Sequence, residues 1–256
     1  MRPDLTALRT QIRAIETEGR PALSCLPTGA DMLDVALGGG LALGGVTEVV
    51  PAAFMDEPAS LHFAFACMAK VLQQRSGDLV VIEDASRGQG WGAAWGQLYG
   101  PGLQKLGVCP SRILLVRAPD VKGFHACLED AARTFGLAGV LAVSGPKAGF
   151  SLAGARRVQL AAEQAHSLVL AVQGLRTSAF APARARLVLA SRPCRSVPLG
   201  TALPGLGPPA WRLHLERARN GARPQSFDLE YDDATHCLYQ PATLANRSSQ
   251  SQRLSA

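Results

Sequence analysis

Between residues 46 and 172 the chain alternates apolar runs with amphipathic stretches, and this alternation restricts its fold more than any other feature. Val46–Val50, "DLVVIED" (78–84), "RILLVRA" (112–118), "AGVLAVSG" (138–145) and "SLVLAV" (167–172) read as strands. Helical spacing is predicted over about 58–74, 102–106, 121–135 and 152–166. Strands that read as near-continuous apolar runs are buried on both faces, as in a parallel sheet covered by helices.

After residue 172 the character changes. "RARLVLASR" (184–192), "AWRLHLERAR" (210–219), "QSFDLEYDD" (225–233) and "HCLYQP" (236–241) are strands without helices between them. "WRLHLER" alternates apolar and polar residues at period two, so this end is expected to be antiparallel and to extend the sheet at one edge. Upstream, Leu5, Leu8, Ile12 and Ile15 share one face of a helix over 4–19. That helix either packs on its own domain or forms a docking arm for a partner. The expected division is an N-terminal helical arm (1–25), an α/β core (26–241) and a polar, disordered tail (242–256).

The junction after the first strand, "VTEVVPAAFMDEPAS" (46–60), lies where a nucleotide-binding protein places its phosphate loop. A working loop of the form G-x-x-x-x-G-K-[ST] needs glycines to turn main-chain N–H groups inward, a lysine for the terminal phosphates and a hydroxyl for magnesium. None of these is present between Val50 and Ala59. Asp56 and Glu57 would repel a phosphate. Asp56 is expected to serve as N-cap of the following helix, with Glu57 in its first turn and Pro58 at a position needing no donor. Glu83 and Asp84 end their strand as two acids, and their simplest role is solvation.

The chain of 256 residues carries a net charge of +6. The first 128 residues hold 11 Lys/Arg and 12 Asp/Glu, and the remainder hold 15 and 8. Nine arginines and one acid, Glu216, lie between Arg176 and Arg223. Such a surface fits an anionic partner, nucleic acid or an acidic protein face, or plain solvation. The six cysteines form no C-x-x-C pair and no histidine stands at ligand spacing from them, which argues against a metal site and for reduced thiols. The charged N-terminus is no signal peptide, and no apolar run is long enough to span a bilayer. A cytoplasmic location is expected, with no membrane contact.

Three stretches in order resemble the RecA family: "LPTGADMLDVALGGGLALGGVTEV" (26–49), "LYGPGLQKLGVCPSRILLV" (98–116) and "AGVLAVSG" (138–145). The resemblance to the ImuA family, RecA-like inducible mutagenesis proteins, is closer. "YGPGLQKLGVCPSRILLVRAPD", "ARRVQLAAEQAHSLVLAVQ" (155–173) and "WRLHLERARNGARPQSFDLEYD" (211–232) are of that family's kind, and the similarity covers about 5–235. It implies a RecA-like parallel sheet flanked by helices, with Asp56, Glu57 and Pro58 at a degenerate phosphate-loop position. Ser144 stands where the magnesium-associated acid would be. No catalytic residue, cofactor or ATPase activity is expected.

The same resemblance implies a non-catalytic adaptor in SOS-induced, error-prone translesion synthesis. Its partners would be an ImuB-type Y-family polymerase relative and an error-prone replicative-type polymerase, with RecA and single-stranded DNA as further candidates. Two loops correspond to those lining the RecA DNA channel, "SGPKAGFSLAGARR" (144–157) and "QGLRTSAFAPARAR" (173–186). They offer Lys147, Arg156, Arg157, Arg176, Arg184 and Arg186 to phosphates, and Phe150 and Phe180 for base stacking. Two alternatives stay open: an ATP-dependent RecA-type DNA recombinase, which the loop argues against, and a SulA-type cell-division inhibitor, which would be shorter.

Overall fold

The computed structural model describes residues 24–84, 97–145, 148–175, 177–198, 200 and 205–241. In chain order the strands are β1 (Cys25–Leu26), β2 (Leu41–Ala42), β3 (Gly45–Pro51), β4 (Leu79–Asp84), β5 (Ile113–Ala118), β6 (Gly139–Val143) and β7 (Leu168–Val172). There follow β8 (Ala185–Ser191), β9 (Ser196–Val197), β10 (Gly205–Leu206), β11 (Ala210–Ala218), β12 (Gln225–Asp232) and β13 (Cys237–Tyr239). The helices are α1 (Asp31–Leu37), α2 (Glu57–Gln74), α3 (Gly100–Lys105), α4 (Val121–Arg133) and α5 (Leu152–Ala165).

Nine strands form one sheet in the order β13-β12-β11-β8-β3-β7-β6-β4-β5. From β8 to β5 every neighbouring pair is parallel, and from β8 to β13 every pair is antiparallel. This is the α/β, RecA-like architecture expected from the sequence, except that β8, read with the antiparallel end, pairs parallel with β3, and the change of direction comes after it. Two short antiparallel pairs, β1–β2 and β9–β10, lie outside the main sheet; two-residue runs are too short to show a period.

The sheet faces carry separate cores. On one face α2 presents Phe63, Met68 and Val71 to Val49, Val81, Leu141 and Leu170, and this core continues under Leu187, Trp211, Leu213, Leu215, Phe227 and Leu229. On the other face α4 and α5 bring Phe124, Leu128, Val158 and Ala162 against Val46, Ile82, Val140 and Val169. Burial of this extent, at about 25 cal/mol per Å² of apolar surface, is what holds the layers together. The second core contains no residue of β8, β11 or β12, so it stops at β3.

Local chemistry sets the helix ends. Asp120 accepts from the Gly123 N–H at 2.7 Å and Ser151 from the Gly154 N–H at 3.1 Å, capping α4 and α5. Helix α1 ends at Gly38, whose φ of 82° is the left-handed conformation that glycine adopts without strain. Gly77 (φ 91°) turns the chain into β4 so close to the Gly136 carbonyl that an added Cβ would lie 1.9 Å from its oxygen.

Candidate functional site

Strand β3 lies between β7 and β8, and the chain leaves its C-terminal end to enter α2. In open parallel sheets that end is where ligands bind, at the point where strand order reverses. The connection here is short. After Pro51 the chain makes Ala52 and Ala53, then a single 3₁₀ turn over Phe54–Asp56, and passes directly into α2.

Four main-chain donors of this connection, those of Ala52, Ala53, Asp56 and Glu57, are already used. The Ala52 N–H donates to the Leu189 carbonyl at 2.8 Å, extending the β3–β8 pairing past the strand end. The Ala53 N–H donates to Asp56 Oδ2 at 3.1 Å, the Asp56 N–H to the Ala53 carbonyl at 3.0 Å, and the Glu57 N–H to the Phe54 carbonyl. Pro58 has no N–H to give. No residue from 51 to 60 has a positive φ, so the backbone lacks the alternating right- and left-handed conformations that make an anion nest.

Asp56 departs from its expected role. Its side chain makes no cap hydrogen bond to α2; besides accepting from Ala53, its Oδ1 accepts from the Ser191 N–H at 2.8 Å and hydroxyl at 2.7 Å. The 3₁₀ turn gives Asp56 helical backbone angles, so its side chain serves the preceding turn and the end of β8. Glu57 points inward with 2% of its surface exposed, and its Oε1 lies 3.5 Å from the Leu175 N–H, three residues beyond β7.

Around this junction other polar groups are buried. Glu48 on β3 is fully buried; its Oε1 accepts from Arg186 Nη1 at 2.5 Å and from the Phe180 N–H at 3.0 Å. Glu48 and Arg186 are register partners across β3 and β8. Burial works against the Arg186 charge, yet Glu48 and Glu216 together raise its pKa above the ordinary value. The Gln173 amide and Thr177 hydroxyl are buried with no hydrogen-bond partner among the described residues. Ser144 is buried and its hydroxyl donates to the Val172 carbonyl at 3.3 Å. Glu83 pairs across the sheet with Arg117 at 3.5 Å, and Asp84 is fully buried. Among the described residues no group of three or more His, Cys, Asp or Glu is placed to hold a metal ion, and no helix is long and apolar enough to cross a membrane.

The basic residues singled out by sequence are dispersed. Arg184 is bound to Glu163 at 2.7 Å and Arg186 to Glu48 and Glu216, and only about a seventh of each side chain is exposed. Arg156 and Arg157 lie exposed on α5, with Arg157 held by Glu129 at 3.0 Å. Hydrogen bonding from Arg157 holds the Glu129 carboxyl below the usual range. Phe180 is fully buried, edge-on to Phe150 at 5.0 Å, so in this structure it has no face for a base to stack on; the loop folds it under β3 through the bond from its N–H to Glu48. Lys147, Arg176, Leu5, Leu8, Ile12, Ile15 and the tail 242–256 lie outside the described residues.

Sequence reasoning missed a groove of about 800 Å³ beside the N-terminal half of α2, lined by Leu61, Phe65, Tyr99, Leu103, Tyr231 and Tyr239 among others. Its residues come from five separated stretches with no shared motif, so no sequence signal announces it.

No protein-family model matches the chain. Two curated proteins called Protein ImuA, from two strains of Caulobacter vibrioides, are each 35% identical to it over 207 residues, spanning 78% of this chain and 80% of theirs. With identity at that level across most of both chains, and with the RecA-like sheet in place, this chain belongs to the ImuA family.

Proposed function

We propose that the chain is a non-catalytic RecA-fold adaptor of an inducible mutagenesis system. It supports damage-induced, error-prone translesion synthesis in the cytoplasm through contacts with other proteins. The observation that carries the non-catalytic part is the consumption of loop donors: Ala53, Asp56 and Glu57 spend their N–H groups inside the connection, and Ala52 spends its own on the Leu189 carbonyl of β8. Phosphoryl transfer relies on positioning and on charges that stabilise the phosphates, supplied by loop amides, a lysine and magnesium. Here two carboxylates stand in their place, and a lone Glu83, paired with Arg117, has nothing to act on.

The chain's proposed partners, suggested by the family resemblance, are an ImuB-type Y-family polymerase relative and an error-prone replicative-type polymerase. Contact with single-stranded DNA is a finer part of the reading. Among the candidate cations Arg156 is exposed and has no carboxylate partner among the described residues. Replacing it with Glu lowers retention on single-stranded DNA at low salt if that contact exists.

The test is genetic complementation with a biochemical arm. A deletion strain loses damage-induced mutagenesis, and both the wild-type gene and a Glu83→Gln variant restore it. The tagged protein from damaged cells brings down a Y-family polymerase relative. If Glu83→Gln abolishes both complementation and a magnesium-dependent ATP turnover, the chain is an ATPase and the adaptor reading fails.

A further inference from the structure

The sheet has one face that the described residues leave open over much of its extent. Helices α4 and α5 and their core end at β3, whereas β8, β11 and β12 continue the sheet by three more strands. On these strands the inner face is apolar and buried under α2. The outer face is formed by the alternate residues; Val188, Ala190, Arg212, His214, Ser226 and Asp228 are partly or fully exposed, whereas Ala210 and Glu230 at one end are buried, Glu230 being bound by Arg195 and Tyr239.

On this face, near the C-terminal end of β8, two arginines share one carboxylate. Arg212 Nε and Nη2 grip Asp228 Oδ1 and Oδ2 at 2.9 and 3.2 Å, and Arg192 Nη1 lies 3.0 Å from Oδ2. Arg212 and Asp228 are direct register partners. The trio keeps one net positive charge, and 58% of the Arg212 side chain and 31% of Arg192 stay exposed. Toward the other end of β11, Arg217 is held by the main-chain carbonyls of Ala181 and Phe180 at 2.7 and 3.2 Å, so no carboxylate cancels its charge among the described residues.

We propose that this open face docks an acidic segment of a partner protein, with Arg192 and Arg212 as its carboxylate receptors. Each guanidinium has five N–H donors in a rigid fork, and Asp228 occupies only part of each set while fixing the orientation of both. Asp228 also shows which anion geometry the forks accept: a planar carboxylate taken bidentately. The floor between the charges is Val188 and Ala190, small apolar residues suited to side chains interspersed among acids. Single-stranded nucleic acid is disfavoured because β8, β11 and β12 place no Phe, Tyr or Trp on this face, their aromatic residues Trp211, Phe227 and Tyr231 being buried on the other. The inference stands apart from the mutagenesis role, since it concerns only what the face binds.

The probes are a fluorescein-labelled synthetic peptide of glutamates interspersed with leucines, and a labelled oligothymidylate, titrated with the full chain at low salt. Arg192→Glu/Arg212→Glu should weaken peptide binding by about tenfold or more. Arg192→Gln/Arg212→Gln, milder and checked for native circular dichroism, should weaken it in the same direction. Lys105→Glu/Lys122→Glu, which makes the same charge change away from this face, should leave it unchanged. The proposal is overturned if the peptide does not bind, if the control weakens binding as much as the arginine variants, or if the arginine variants release oligothymidylate while peptide binding persists.

Discussion

Asp56 and Ser191, 135 positions apart, join the entrance of α2 to the end of β8: one carboxylate oxygen accepts from both the N–H and the hydroxyl of Ser191, at 2.8 and 2.7 Å. The other oxygen accepts from Ala53. An acid that reads as a helix cap is therefore a clasp between two strand ends. Asp56→Ala should lower stability by about 1–2 kcal/mol, because it leaves two main-chain donors without their acceptor. Ser191→Ala, which keeps its N–H, should cost less. Urea unfolding of the two variants and the double variant checks the coupling; strictly additive losses would show that the two side chains do not act together.

Glu48 and Arg186 form a second long-range link, with the carboxylate fully buried. Removing one partner leaves the other charge without compensation, so Glu48→Gln should destabilise by about 3 kcal/mol or more. Replacing the pair together, Glu48→Leu/Arg186→Leu, should recover much of that loss, since well-packed apolar residues often match a buried ion pair. Chemical denaturation of the three variants tests this, and a double variant no better than Glu48→Gln alone would contradict it.

These two links mark the limit of what the sequence makes legible. Each βα unit from β3 to β7 announces itself because its strand is an apolar run flanked by helical periods, although β5, at the sheet edge, leaves Leu114 exposed. Trp211, Leu213 and Leu215 turn inward and Arg212, His214 and Glu216 outward, as the period-two pattern of "WRLHLER" requires. Charge partners across the sheet leave no such trace. Arg184 and Arg186 read as free cations of a nucleic-acid loop because nothing local shows that β8 will lie beside Glu48 or that Glu163 will face Arg184. Phe180 reads as exposed for the same reason. The lack of glycine, lysine and hydroxyl residues between Val50 and Ala59 is visible in the sequence alone, but the acceptor of the Ala52 N–H there is Leu189, far along the chain.

His62 gives the chain a pH dependence. Its ring meets Trp211 edge-on at 5.4 Å, and burial lowers its pKa from the ordinary 6.5, with Asp233 opposing. The unfolded chain then binds a proton more readily than the folded one. The His62 contribution is complete above pH 6.5 and shrinks as pH falls from there through the lowered folded-state value. Urea midpoints at about pH 8 and about pH 5.5 should differ more for the wild type than for His62→Gln. Equal differences would show that His62 is not a source of the acid sensitivity.

The central claim is that the end of β3 no longer receives a nucleotide. Its most direct test is calorimetric titration of the purified chain with ATP and magnesium. The closed connection predicts no saturable heat and no turnover above a buffer control, for the wild type and for Glu83→Gln alike. Saturable, magnesium-dependent binding, with turnover that disappears in Glu83→Gln, would contradict it.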